Sequence, residues 1–350
     1  MKDANSKRRQ KDPTTAAPYR PVSLKELAAR LELNPATVSV VLNDVPGRSI
    51  PQVTRDRIKA AAVEMNYHPS LLARSLRNRR THTIGILVPE LGDGYHTQVM
   101  SGIGDQLMQA GYFYFTAHHR HQLKLVEDYT QMFIGRGAQG IIALDTTLEH
   151  PLPVPVVAVA GHRAIAGITN VALDHARAAA LTLTHLLDLG HRRIAFMRGP
   201  SMSSDSVARW EGLLEAAQKL GFEIRPELVV TLDRDTSSPE LGYPAVRQLA
   251  ASGFTALVAF NDISAMGAIR ALQDLDLNVP GDVSVIGFDD IQAAAYTLPR
   301  LTTIRQPLVE MGRIAARRLL DRIHEASFPE GDIVVQPELV IRESTGPCAD

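Results

Sequence analysis

The stretch VSLKELAARLELNPATVSVVLN, residues 22–43, reads as two short helices joined by a tight turn. In the first, Leu24, Leu27, Ala28 and Leu31 fall at i, i+3, i+4 and i+7, one apolar stripe. The second opens on Asn34-Pro35, an N-cap residue followed by proline where a missing N–H costs nothing, and turns Val38, Val41 and Leu42 inward. A third helix over roughly 52–66 places Ile58, Ala61, Ala62 and Met65 at the same spacing. Three helices in so short a span make a helix-turn-helix unit, whose second helix can enter a DNA major groove. A small helical subdomain without a nucleic-acid role fits the helix count equally well.

Charge separates the two readings. Residues 1–80 hold 16 Lys and Arg against 7 Asp and Glu, a net of +9. The whole chain is −1, so residues 81–350 carry −10, from 21 basic and 31 acidic side chains. A cationic head on an acidic body is an electrostatic footprint for a phosphate backbone.

The 350 residues support one small and one or two larger domains with ample core. The single cysteine, Cys348, provides neither a disulfide framework nor a thiolate metal site, which suits a reducing cytoplasm. No run reaches the length of a membrane span, and residues 1–21, polar and basic without an apolar h-region, read as a disordered tail rather than a secretory signal.

From residue 83 the pattern alternates strand and helix. Strand candidates are TIGILVP (83–89), YFYFTA (112–117), GIIAL (140–144) and VPVVAVA (154–160). A second set is ITNVALD (168–174), RRIAFMRG (192–199), ALVAF (256–260) and VSVIGFDD (283–290), with LTTIRQP (301–307) and DIVVQPELVIRES (332–344) after it. Continuous apolar runs suit parallel strands covered on both faces, and 175–189 and 206–220 have helical spacing. The expected fold is an all-α helix-turn-helix head followed by α/β: two doubly wound parallel sheets of the periplasmic-binding type, linked by several crossings, with a ligand cleft at the C-terminal strand ends. The expected boundaries are 22–67 for the head, 68–82 for a hinge helix and linker, and 83–345 for the receptor. Within the receptor, the first lobe is expected at about 83–160 and 291–320, and the second at about 161–290 and 321–345.

ATVSVVLN (36–43), HPSLLARSL (68–76), TIGILVP, LGHRRIAFMRGP (189–200), FNDISAMGAIRAL (260–272), VPGDVSVIGFDD (279–290) and LTTIRQPLVEMG (301–312) together carry a resemblance. The chain resembles the lactose-repressor family of transcriptional regulators, from about Leu24 to Glu343. The resemblance implies a DNA-binding regulator, in the usual case a repressor, controlled by a small molecule held between the lobes. It also implies a homodimer on a palindromic operator in double-stranded DNA, located in the cytoplasm, with no membrane association.

On that alignment Pro35, Ala36 and Val40 occupy the outward positions that touch base edges. All three are apolar here, which suits packing on thymine methyl groups rather than bidentate hydrogen bonds; a purely helical role for Pro35 and Ala36 is the competing reading. Asn34, Thr37, Ser39 and Asn43 suit phosphate contacts, Lys25, Arg55 and Arg57 add charge, and Glu32 stands in the turn where a residue tolerant of positive φ is common. The hinge, Pro69 to Arg77, is too short to be a stable helix alone. By resemblance it orders in the minor groove against its dimer mate, with Leu76 as the wedge, Ala73 allowing close approach and Arg77 tracking the groove wall.

Carried across one at a time, the effector positions are Tyr95 and His96 after the first strand, then Ser203, Asp205 and Arg209 after RRIAFMRGP, and Asn261 and Asp289 at later strand ends. Arg209 is expected to grip vicinal hydroxyls or a carboxylate with its fork, and Asp262 to cap the following helix. Ala160 stands where an aspartate is frequent and Pro239 where an aromatic often closes the pocket. A sugar is the expected effector.

His118, His119 and His121 read as exposed loop histidines rather than a metal site. Gly102-Ile103-Gly104 lies in an expected helix and lacks the third glycine of a dinucleotide fingerprint. No cofactor and no enzymatic motif is expected. A solute-binding receptor without DNA function explains the body but not residues 22–77.

Overall fold

The computed structural model describes residues 20, 22–45, 47–68, 80–92, 94–161, 165–200, 203–232, 239–324 and 331–348. Two compact units divide the chain, Met1–Thr81 and His82–Asp350.

In the first unit Ser23 starts helix α1 (Leu24–Leu31) with a reciprocal capping box: Glu26 N donates to Ser23 Oγ and Ser23 N to Glu26 Oε2. Helix α2 (Pro35–Leu42) starts from Asn34, whose Oδ1 accepts from Ala36 N at 2.8 Å, and α3 (Gln52–Glu64) follows. Leu27, Ala28, Leu31, Val38, Val41, Ile58 and Ala62 form the core, with Leu24, Leu42, Ala61 and Met65 packed on its margin. Glu32 ends α1 at φ 56, ψ 37, the left-handed conformation expected of the turn.

The second unit holds two six-stranded sheets. The first contains β1 (Thr83–Val88), β2 (Phe113–His118), β3 (Gly140–Leu144), β4 (Val156–Val159), β5 (Ile168–Leu173) and β11 (Ile333–Val335), ordered β11-β5-β4-β3-β1-β2 and parallel throughout. Helix α4 (Tyr95–Gln109) and α10 (Leu308–His324) share a core with this sheet, and α5 (Leu123–Gly135) packs through a separate one. The second sheet contains β6 (Ile194–Arg198), β7 (Val229–Thr231), β8 (Ala256–Val258), β9 (Ser284–Asp289), β10 (Thr302–Arg305) and β12 (Glu338–Val340), with β12 antiparallel to β10. Helices α6 (His175–Asp188) and α7 (Ser204–Lys219) pack on one core, α8 (Pro239–Leu249) and α9 (Asp262–Gln273) on the other.

The chain passes between the sheets after β5, after β10 and between β11 and β12. This corrects the expected lobe boundaries. Residues 168–173 extend the first sheet rather than opening the second, 302–305 belong to the second, and 332–344 contributes one strand to each. Strand pattern alone marks these segments as strands without saying which sheet they join, so the tertiary partner assigns them. Gly102 sits where α4 meets α10: a Cβ there would lie 1.9 Å from the Val309 carbonyl oxygen, and one on Gly312 would lie 2.1 Å from that of Val99. The Gly-Ile-Gly segment is thus a helix-packing device.

Candidate DNA-binding head and ligand cleft

On α2 the side chains of Pro35 and Ala36 are exposed and those of Thr37, Ser39 and Val40 half-buried. An exposed apolar N-terminal turn is what a base-reading helix with no bidentate donor would present. Asn34 and Asn43 carry structural duties at the two ends: Asn34 caps the helix, and Asn43 Nδ2 donates to Ser39 O at 2.7 Å. Arg57 donates to the Leu31 carbonyl and Arg55 to those of Ile50 and Arg48, so both guanidiniums also brace the turns. Ala73, Leu76 and Arg77 lie outside the described residues.

Between the lobes Tyr95, His96, Ser203, Asp205, Arg209, Asn261 and Asp289, separated in sequence by up to 194 residues, line one cleft of about 450 Å3 including its open mouth. Glu90, Asp145 and Phe260 complete its walls. Apart from Arg209, which lies in the second turn of α7, each sits at or just beyond the C-terminal end of a strand or at the start of a helix, where the alternating fold delivers side chains to a crevice. Two of the lining residues, Asp145 and Asp289, hold positive φ of 41° and 115°. Ala160 is buried and stays out of the cleft lining, and the side chain of Pro239 falls outside the described residues.

Asp205 organises the second-lobe wall. Its Oδ1 lies 3.0 Å from His175 Nε2 and its Oδ2 accepts from Arg209 Nη2. Arg209 Nη1 donates to the Phe260 carbonyl, and the guanidinium lies over the Phe288 ring at 3.7 Å and near the Phe260 ring at 4.8 Å. The fork expected to grip vicinal hydroxyls or a carboxylate thus already makes one bond from each Nη within the protein, and Nε has no partner. Across the cleft, His96 Nε2 lies 3.8 Å from Asp145 Oδ2, while Ser203 Oγ donates to Asp145 Oδ1 at 3.5 Å, a contact between the lobes. The Tyr95 hydroxyl and His96 Nε2 are buried without hydrogen-bond partners.

Asp289 accepts from Gln306 Nε2 at 2.7 Å; burial pushes its carboxyl up to about 7, against the opposing pull of Arg209. Burial also holds the Tyr95 hydroxyl well above its ordinary value and the Asp262 carboxyl well above the usual carboxylate range. Asp262 is no helix cap. Asn261 caps α9 by accepting from Ser264 N, while Asp262 accepts from Ile291 N at 2.8 Å and from the Thr303 hydroxyl at 2.6 Å, tying the β9 exit to β10.

His119 corrects the reading of the histidine cluster. It is buried, 2.9 Å from Thr146 Oγ1, and accepts from His121 N, while His118 is exposed. Among the described residues no group of ligating side chains is arranged for a metal. Sequence reasoning missed Glu90, Asp145 and Phe260, each standing at or next to the end of a strand it did identify. Strand-end position was the available signal.

A helix-turn-helix head and a two-lobed receptor with a polar crevice define the ligand-responsive DNA-binding regulators. Residues 23–70 match the lacI family of bacterial regulatory proteins and residues 183–345 a periplasmic binding protein-like domain. The chain is 34% identical over 335 residues to the HTH-type transcriptional regulator MalR of Streptomyces coelicolor, covering 92% of this chain and 96% of that one. Its fold is similar to that of the lac repressor dimer bound to operator and the anti-inducer ONPF (TM-score 0.83, 25% identity, 93% of this chain and 100% of that one). It is also similar to that of the transcriptional regulator CelR in its cellobiose complex (TM-score 0.69, 29% identity, 93% and 100%). The chain belongs to the lacI family.

Proposed function

We propose that the protein is a cytoplasmic, homodimeric repressor that binds a palindromic operator through α2 and the segment 69–77, and that a sugar in the cleft sets its operator affinity. It carries out no reaction of its own. The observation that carries this reading is the convergence of Tyr95, His96, Ser203, Asp205, Arg209, Asn261 and Asp289 on one polar crevice whose opposite walls belong to different lobes. A ligand bridging Asp145 on the first lobe and Asp205 or Asp289 on the second would bias the lobe arrangement, and any state it favours is favoured by its differential affinity alone. Two exposed apolar surfaces support self-association: the edge strand β2 with Phe113 and Phe115, and Tyr296 with Leu298 on the second lobe. A two-fold dimer then matches a two-fold operator.

The test is fluorescence anisotropy on fragments of the chain's own upstream region, with and without maltose, cellobiose and ribose. Site-selective, salt-sensitive binding that a sugar shifts supports the proposal; binding that is indifferent to sequence or absent refutes it.

A further inference from the structure

The charges of the cleft select among sugars. Glu90, Asp145, Asp205 and Asp289 stand in its walls, and among the described residues lining it Arg209 is the one Lys or Arg. That guanidinium is partly committed: Nη2 meets Asp205, Nη1 meets the Phe260 carbonyl, and the Phe288 ring covers one of its faces. A phosphate or carboxylate needs a paired fork of donors to replace its hydration; here it meets a single guanidinium, two of whose five N–H groups already bond Asp205 and the Phe260 carbonyl, among four acidic side chains. The unpartnered atoms suit a different guest. The Tyr95 hydroxyl, His96 Nε2 and Arg209 Nε lie buried without hydrogen-bond partners, and His96 is only 6% exposed. A sugar hydroxyl can donate to Asp145 or Asp289 while accepting from Arg209 Nε or the Tyr95 hydroxyl, satisfying both sides at once. An ammonium group can donate to the same carboxylates.

We infer that the cleft accepts uncharged or amine-bearing polyols and rejects sugar phosphates and sugar acids. The regulator therefore senses a sugar before any phosphoryl transfer or oxidation to an acid, so the reaction that supplies its ligand is hydrolysis of a glycoside or entry of the sugar unmodified. This rests on the reading of the cleft as a sugar receptor.

Thermal-shift measurements on the full chain test it with matched sets at equal millimolar concentration: glucose, glucosamine, glucose 6-phosphate and glucuronate; ribose and ribose 5-phosphate; maltose and cellobiose. The expected result is stabilisation by at least one uncharged or amine-bearing member, with anionic counterparts bound at least about a hundredfold more weakly because an anion is forced against Glu90, Asp145 and Asp205. An anionic member that stabilises as strongly as its neutral parent overturns the charge rule while upholding the receptor. A panel silent in every class overturns the receptor reading and this inference with it.

Discussion

Gln306 Nε2 donates a 2.7 Å hydrogen bond to Asp289 Oδ1, fastening the segment that crosses from β10 to α10 to a carboxylate of the ligand cleft. Both side chains are buried. Any ligand that engages Asp289 competes with or reinforces the hold on this crossing, so cleft occupancy and lobe arrangement share one bond. Gln306→Ala strips a buried carboxylate of its donor and is expected to cost about 1–3 kcal/mol of stability, read by urea unfolding.

The Asp289 carboxyl titrates near 7 in the folded chain against 3.8 ordinarily. The folded state thus binds the proton more tightly, and stability present below the ordinary value is lost as pH rises toward about 7. Asp289→Asn removes that dependence. The variant should gain on the parent as pH is raised from about 4 to about 7, and an unchanging gap between their melting curves would contradict the burial argument.

His119 has the opposite sign. Burial lowers its value from 6.5 to about 4, so the folded chain prefers neutral imidazole. Its contribution is full above about 6.5 and declines as pH falls toward 4. His119→Ala is expected to be less stable than the parent at neutral pH, with the difference shrinking in acid, measured by thermal unfolding across that range.

Gly102→Ala places a methyl group 1.9 Å from the Val309 carbonyl, inside any allowed contact. Since backbone rather than a flexible side chain stands in the way, α4 and α10 must separate. A loss of about 3 kcal/mol is expected in chemical unfolding of the receptor, whereas Ala at the exposed Gly111 finds nothing within 4 Å and loses only through its φ of +73°.

In the head, a half-site scan should show a thymine preference beneath Ala36 and Val40, and Val40→Ala should weaken that preference by about 1 kcal/mol or more at a single base pair. Leu76→Ala is expected to lower operator affinity at least about tenfold with the melting temperature unchanged, since a wedge acts on DNA and not on the fold. Anisotropy titrations read both.

The secondary structure of this protein was legible in its sequence because periodicity reports burial locally. α1, α2 and α3 follow apolar spacing, and GIIAL is β3 residue for residue. β7, two half-buried residues and one exposed, escaped the strand reading, and β11 and β12 were read as a single segment. Seven of the cleft-lining positions were legible too, through family resemblance rather than any local chemical signal, while Glu90, Asp145 and Phe260 were not.

The sequence by itself determined the three head helices and most of the strands, and that a cationic head precedes an acidic body. Tertiary structure alone decided that β5 and β11 complete the first sheet while β10 and β12 complete the second, that His119 is buried, and that Asp205 occupies the fork of Arg209. The reason is physical: an apolar run announces that it will be buried, but not against which partner, and an arginine announces its charge, but not which carboxylate reaches it first.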